Sequence, residues 1–159
     1  MYAADGKTKI VAAQIAGDFT LPADPSQKLA FIAGGIGITP FRSMLKYLLD
    51  KRQRRDIVMF YVNRTSNEIV YKDILHAAYN ELGLKLFYTL TDTAAIPRDW
   101  PGFVGRITEQ MIWQTIPDYT ERTFYLSGPP EMVRGYAKVL ESAGVKSDQI
   151  KQDFFPGLV

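Results

Sequence analysis

The residues of this chain best placed for chemistry are glycines. Gly34, Gly35 and Gly37 fall within four positions in "AGGIGITPF", with Ile38, Thr39 and Pro40 directly after them. Glycine admits positive φ and lets a ligand come close to the main chain. Thr39 is suited to cap a following helix, and Pro40 to its first turn, where a missing N–H costs nothing. The turn would then aim free N–H groups and the positive end of a helix dipole at one point, where a pyrophosphate could be held. Each such charge–dipole contact contributes about 0.3–1 kcal/mol, so the turn positions an anion and cannot bind it alone. The spacing G-G-x-G-x-T-P is neither the G-x-G-x-x-G fingerprint nor a phosphate loop ending in G-K-[ST], and a purely structural turn accounts for it equally well.

A second turn tips the balance toward a ligand. Ser127, Gly128, Pro129 and Pro130, followed by Met132, mark another place where a strand ends and a helix begins. Ser127 would stand at the strand end, its small hydroxyl able to face a ligand ring. Other chemistries have little material. The chain has no cysteine, which removes disulfides, thiolate metal sites and thiol nucleophiles, and its one histidine, His76, lies among polar residues with no second histidine to share a metal. We expect no metal site.

Both turns need elements to hold them. Lys28–Ala33 reads as a buried strand, and Phe41, Met44, Leu45, Leu48 and Leu49 recur at helical spacing behind the glycines. Asp56–Val62 is apolar nearly throughout, as a strand buried on both faces is. Val70, Ile74, Ala78 and Leu82 predict a second helix, stopped at Gly83. Lys85–Leu90 is a third strand, followed by a long connection, "TDTAAIPRDWPGFVG". Thr108 should cap a short third helix, with Ile107 and Ile112 as a hydrophobic staple. Thr123–Leu126 and Gln149–Asp153 are a fourth and a fifth strand, with a helix between them that carries Met132, Val133, Tyr136, Val139 and Leu140. Strands alternating with helices predict an α/β fold with a five-stranded parallel sheet and helices on both faces. The order 3-2-1-4-5 would make the two turns neighbours where the winding reverses, the usual place for a ligand.

Composition bounds the remainder. At 159 residues, 47% apolar and 23% charged, the chain is the size of one domain with a real core, and it has no stretch long enough to span a membrane. A formal charge of +2 gives no ground for nucleic-acid binding. The basic run "KRQRR" at 51–55 suits the negative end of a helix dipole. The first ten residues lack the apolar segment of a signal peptide, so a cytoplasmic location is expected, with membrane association of a parent protein left open. Residues 1–27 do not fit the alternating pattern and read as one lone strand, a Gly-Asp turn and a proline-marked linker.

Taken in order, "GGIGITPFRSM", "YVNRT…VYKDIL", "W-x-G-x-x-GRIT", "YLSGPPEMV" and "DFFPG" resemble the nucleotide-binding half of ferredoxin–NADP reductase-type flavoproteins. The resemblance runs from Lys28 to Gly157, and "IAGDFTLP" is similar to the end of that family's flavin-binding barrel. Residues 1–27 are then the remnant of a barrel plus linker, and 28–159 the NAD(P)-binding domain. The resemblance implies NADH or NADPH as ligand, hydride transfer to FAD held by a domain absent from this chain, and an electron acceptor downstream. It places Gly34, Gly35, Gly37, Ile38, Thr39 and Pro40 along the dinucleotide. It sets Thr39 and Ser127 beside the nicotinamide and packs Gly128, Pro129, Pro130 and Met132 at the same end. Asn63 and Arg64 fall toward the adenosine, Thr91 is a further cofactor-binding residue, and Phe154 or Phe155 would cover the flavin. Ser127 stands where the family commonly has cysteine. Arg64 and Glu68 point in opposite directions on the choice between NADH and NADPH, which stays open.

Three readings follow: the nucleotide lobe of a flavoprotein reductase, a stand-alone nucleotide-binding or regulatory module, and an interaction domain with structural glycine turns. On the first, a surface around Gly34, Thr39, Ser127 and the terminal phenylalanines should be exposed and apolar, and the chain alone should not reduce flavin. Gly37→Val is expected to abolish binding by filling the space of the phosphates.

Overall fold

The computed structural model describes residues 17–154. Phe155 and the alternating stretch Thr8–Ala16 lie outside them. Six strands, β1 (Leu29–Gly34), β2 (Ile57–Asn63), β3 (Lys85–Leu90), β4 (Phe103–Val104), β5 (Thr123–Gly128) and β6 (Ile150–Phe154), form one sheet in the order β4-β3-β2-β1-β5-β6. All pairings are parallel. The helices are α1 (Ile38–Lys51), α2 (Lys72–Ala77), α3 (Glu109–Thr115) and α4 (Pro130–Ser142).

The expected order of the five longer strands is the observed one, but the count is a correction. The sixth strand, β4, spans two residues and adds to the edge beside β3. A strand so short has no period to read, and prolines and glycines surround it. Its place is set by side chains instead: the Trp100 indole N–H donates to the Phe103 carbonyl at 2.9 Å. A Cβ on Gly102 would stand 2.5 Å from the Tyr88 carbonyl oxygen, so only glycine lets this loop lie against β3.

Alternation on the central strands sorts the core into two layers. Leu29, Phe31 and Ala33 join α1 and α2 on one face, and Ala30 and Ile32 join α3 and α4 on the other. Every residue of β1 and β2 is buried, which is why neither strand alternates in polarity. Arg52, in left-handed conformation (φ 49°), ends α1 inside the basic run. Thr108 caps α3 by accepting the Met111 N–H at 3.2 Å, with Ile107 and Ile112 buried in one cluster, as the staple requires. The second helix differs from expectation. It starts at Lys72, because Tyr71 sits at φ 55° and breaks the helical path, leaving Val70 exposed. Its last turn widens to a π-helix over Ala78–Leu82 and stops at Gly83.

The segment before β1 is tied down by aromatics. The Phe19 ring lies 5.7 Å from that of Phe41 and 5.2 Å from that of Tyr125, whose hydroxyl donates to the Thr20 carbonyl at 2.8 Å. Among the described residues no helix is long and apolar enough to cross a membrane.

At the amino-terminal ends of the strands lies a charged knot. Arg122 is 2% exposed. Its guanidinium donates to both Asp56 carboxylate oxygens at 3.1 and 3.0 Å, to both Asp118 oxygens at 2.8 and 3.0 Å, and to the Leu29 carbonyl at 3.1 Å. Lys28 adds ion pairs to Asp118 at 2.9 Å and Glu121 at 2.7 Å. Hydrogen bonds from Arg122 hold the Asp118 carboxyl well below the usual carboxylate range; partial burial opposes this and Lys28 assists it. A carboxylate with a depressed folded pKa contributes stability above its unfolded value, about 3.9, and that contribution is lost as pH falls. The urea midpoint should therefore hold steady from about pH 7 to 5 and drop below about pH 4, and in Asp118→Asn the acid drop should be shallower.

Candidate functional site

Both turns lie at the carboxyl ends of β1 and β5, neighbours where the winding reverses. They meet through Gly37. A Cβ there would stand 2.2 Å from the Ser127 carbonyl oxygen and 2.6 Å from the Gly128 nitrogen. The reason for this glycine is therefore the contact between the two turns, which corrects the expectation that it leaves room for phosphate. Gly34 approaches Met132 in the same way, its Cβ position lying 2.2 Å from the Met132 sulfur. Gly35 differs: its φ is +50°, and an added Cβ would meet nothing within 4 Å. It is the glycine that faces open space.

The expected cap is also corrected. Gly35–Gly37 form a 3-10 turn that runs straight into α1, so the helix begins at Ile38 with Gly37 at its cap position and no side-chain cap bond. Thr39 is inside the helix, its hydroxyl donating to the Ile36 carbonyl at 3.1 Å. α4 likewise starts on Pro129 and Pro130 with no side-chain cap, which leaves the Glu131 and Met132 N–H groups unclaimed by the helix.

A cavity of about 570 Å³ opens above these starts. Gly34, Gly35, Pro129 and Met132 form one end, Asn63, Arg64, Glu68 and Thr91 another, and Val62, Ile107, Tyr136 and Val139 an apolar wall. Seven of the predicted site residues thus share one pocket. Gly37, Ser127 and Gly128 do not line it but pack on one another where the two turns meet, and Pro130 is half-buried at the head of α4. Ile38 is fully buried in the core, and Pro40 lines a separate open groove with Phe19–Ala23. His76 is exposed on α2, and no metal-binding cluster occurs among the described residues.

The polar end has features of a ligand site. Asn63 is 3% exposed, and neither its amide oxygen nor its nitrogen has a hydrogen-bond partner. An unsatisfied buried polar group costs about 1–3 kcal/mol, and a ligand at the pocket could recover part of that. The Arg64 N–H donates to Glu68 Oε2 at 3.0 Å, and the Thr91 N–H donates to the Asn63 carbonyl at 3.0 Å, fixing both loop starts. The Tyr136 hydroxyl accepts from the Ile107 N–H at 3.3 Å, and burial pushes its pKa up, so it stays neutral. Arg106, on the rim, was not foreseen from sequence; its place directly after Gly105 (φ +91°) in "GRIT" is the signal that could have found it.

The expectation of an exposed apolar surface is met only in part. Gly34 and Ser127 are buried, whereas Ile36 and Phe154 are 61% and 43% exposed. The Ser127 hydroxyl is 3.4 Å from Asp153 Oδ2, and the Arg134 guanidinium lies 5.8 Å over the Phe154 ring.

Known proteins share this fold. The family model "Oxidoreductase NAD-binding domain" matches residues 31–138. The chain belongs to that family. This NAD-binding domain is 34% identical over 147 residues to a flavohemoprotein of Bacillus thuringiensis subsp. konkukian, covering 88% of this chain and 35% of that protein. It is 27% identical over 142 residues to the glycine betaine monooxygenase reductase subunit of Chromohalobacter salexigens, covering 87% of this chain and 38% of the relative. Among solved structures, the flavohemoglobin of Malassezia yamatoensis with bound FAD and heme superposes with a TM-score of 0.73 at 27% identity, over 87% of this chain and 35% of that one. The NAD-binding domain thus spans somewhat over a third of the length of these relatives. It is of the kind found in flavin-dependent oxidoreductases.

Proposed function

We propose that this domain binds NADH or NADPH across the carboxyl ends of β1, β2 and β5 and presents the nicotinamide to an FAD carried by another domain, from which electrons pass to an acceptor. The observation that carries this reading is the single pocket joining Gly34 and Gly35 to Pro129 and Met132 and reaching Asn63, Arg64 and Thr91 at its far end. The chemistry supplied by the bound dinucleotide is a hydride at its reduced nicotinamide ring.

The chain's own residues bind and orient. Unclaimed N–H groups at the start of α4, with the positive end of its dipole, favour the pyrophosphate beside Gly35. Asn63 and Thr91 supply polar groups near the adenosine, and the wall of Val62, Ile107, Tyr136 and Val139 excludes water. Ser127, in register between Ala33 and Asp153, is assigned with Thr39 and Phe154 to the nicotinamide end. The described residues form one sheet with two helical layers and contain no barrel to hold FAD. We assign residues 1–27 to the end of such a barrel and its linker, and place the working protein in the cytoplasm, where reduced nicotinamide is available.

Anaerobic mixing of the chain with NADH and free FAD should show no faster flavin reduction than the buffer. Mixing with a protein that carries the complete flavin-binding and nucleotide-binding pair, its own nucleotide site disabled, should restore some. Acceleration by the chain alone would contradict the proposal. Arg106→Ala should weaken binding of either dinucleotide about fivefold, near 1 kcal/mol, and leave the melting temperature unchanged, as calorimetry and thermal unfolding would show.

A further inference from the structure

The two edges of the sheet are built differently. β4, at one edge, has two residues, and Pro101 and Gly102 lead into it. A strand so short offers little to another chain. β6, at the other edge, runs for five residues with neither proline nor glycine among them. It pairs with β5 on one side, and among the described residues no strand pairs with its other side. The outward N–H and C=O groups of β6 are therefore a template for a further strand.

Side chains on β6 specify which strand. Residues two apart share a face of a sheet, so Lys151 and Asp153 stand together, in register with Tyr125 and Ser127 of β5. Among the described residues neither makes an ion pair. They flank Gln152 with opposite charge. Laid antiparallel against a copy of itself about Gln152, the strand sets each Lys151 opposite the partner's Asp153 and each Ile150 opposite the partner's Phe154. Opposite charges so placed attract, and the Phe154 ring, 43% exposed, gains apolar cover. A slip of two residues would oppose lysine to lysine or aspartate to aspartate, so charge also fixes the register. An edge guarded by lysine alone would repel its own copy; this one is neutral and self-complementary. We infer that β6 pairs antiparallel with β6 of a second copy about a twofold axis at Gln152, joining the two six-stranded sheets into one. A contact of this kind closes on itself and stops at the dimer. Five residues a side make a small interface, so the dimer is weak, with a Kd on the order of 0.1 mM. It does not depend on the nucleotide site proposed above.

The test is sedimentation equilibrium of the chain up to about 1 mM at low salt, for wild type, Lys151→Glu and Asp153→Lys. Wild type should associate to a dimer. Lys151→Glu makes this face of the edge wholly acidic and Asp153→Lys wholly basic, so each alone should associate at least about tenfold more weakly. Mixed one to one, the two variants complement each other and should recover the wild-type association within about threefold. The exchange of Lys151→Asp with Asp153→Lys in one chain should recover it as well, which variants merely damaged in folding would not. A wild type that stays monomeric throughout that range overturns the inference. So does a dimer that neither reversal weakens, or a mixture that associates no better than its parts.

Discussion

Replacing Arg122 with methionine is expected to cost about 3 kcal/mol of stability, lowering the melting temperature by roughly 6–12 °C. Breaking a buried ion pair by removing one partner costs about 3–5 kcal/mol. The lower end applies because Asp56 and Asp118 have side chains 42% and 26% exposed and regain water when the guanidinium goes. What water cannot easily restore is the donor to the Leu29 carbonyl, at the first residue of the central strand. Arg122→Lys should recover only part of the loss, since an ammonium cannot serve two carboxylates in bidentate fashion. Urea unfolding of the three proteins gives the comparison. Equal stability of Arg122→Met and wild type would mean that the knot does not hold β1, β2 and β5 in register.

Gly37→Val should damage folding and binding together. The new Cβ would lie 2.2 Å from a backbone oxygen and 2.4 Å from a backbone carbon, neither of which can rotate away as a side chain could. The two turns must separate, at a cost of about 1–3 kcal/mol or more. Separation moves the starts of α1 and α4 apart, and with them the groups proposed to share the pyrophosphate. We expect nucleotide affinity at least about tenfold weaker in the fraction that folds. Gly35→Ala provides the contrast. It meets no atom within 4 Å and suffers only from its positive φ, so its effect on stability should be smaller. Equal effects of the two substitutions would contradict the distinction between a glycine that seats one turn on the other and a glycine that faces the open pocket.

Much of this molecule is legible in its sequence, for reasons that depend on the element. β1, β2 and β5 are short apolar runs closed by glycine or asparagine, and burial on both faces leaves few other structures open to them. The Thr108 cap is local and could be read from five residues. Thr39 misled because a threonine before a proline is a common start of a helix; here a 3-10 turn precedes α1 and moves the start two residues earlier. Val70 misled because its spacing to Ile74 is helical, whereas the left-handed Tyr71 between them leaves no pattern of apolar residues. Arg122 could not be assigned because its partner Asp56 is 66 residues away, and pairing at that distance is decided by the sheet. The same holds for the cavity: Glu68 and Tyr136 are unremarkable singly, and only the β2-β1-β5 order brings them to one pocket.

A nicotinamide dinucleotide bound in the pocket between β1, β2 and α4 would perturb the backbone N–H groups around it. Titration of the isotopically labelled chain with NADH, followed through backbone amide resonances, tests it most directly. Saturable shifts are expected at Gly35, Arg64, Glu131 and Met132, with resonances around Arg122, at the opposite end of the strands, unmoved. No shift up to about 10 mM NADH, or shifts centred on the Arg122 end, would contradict it.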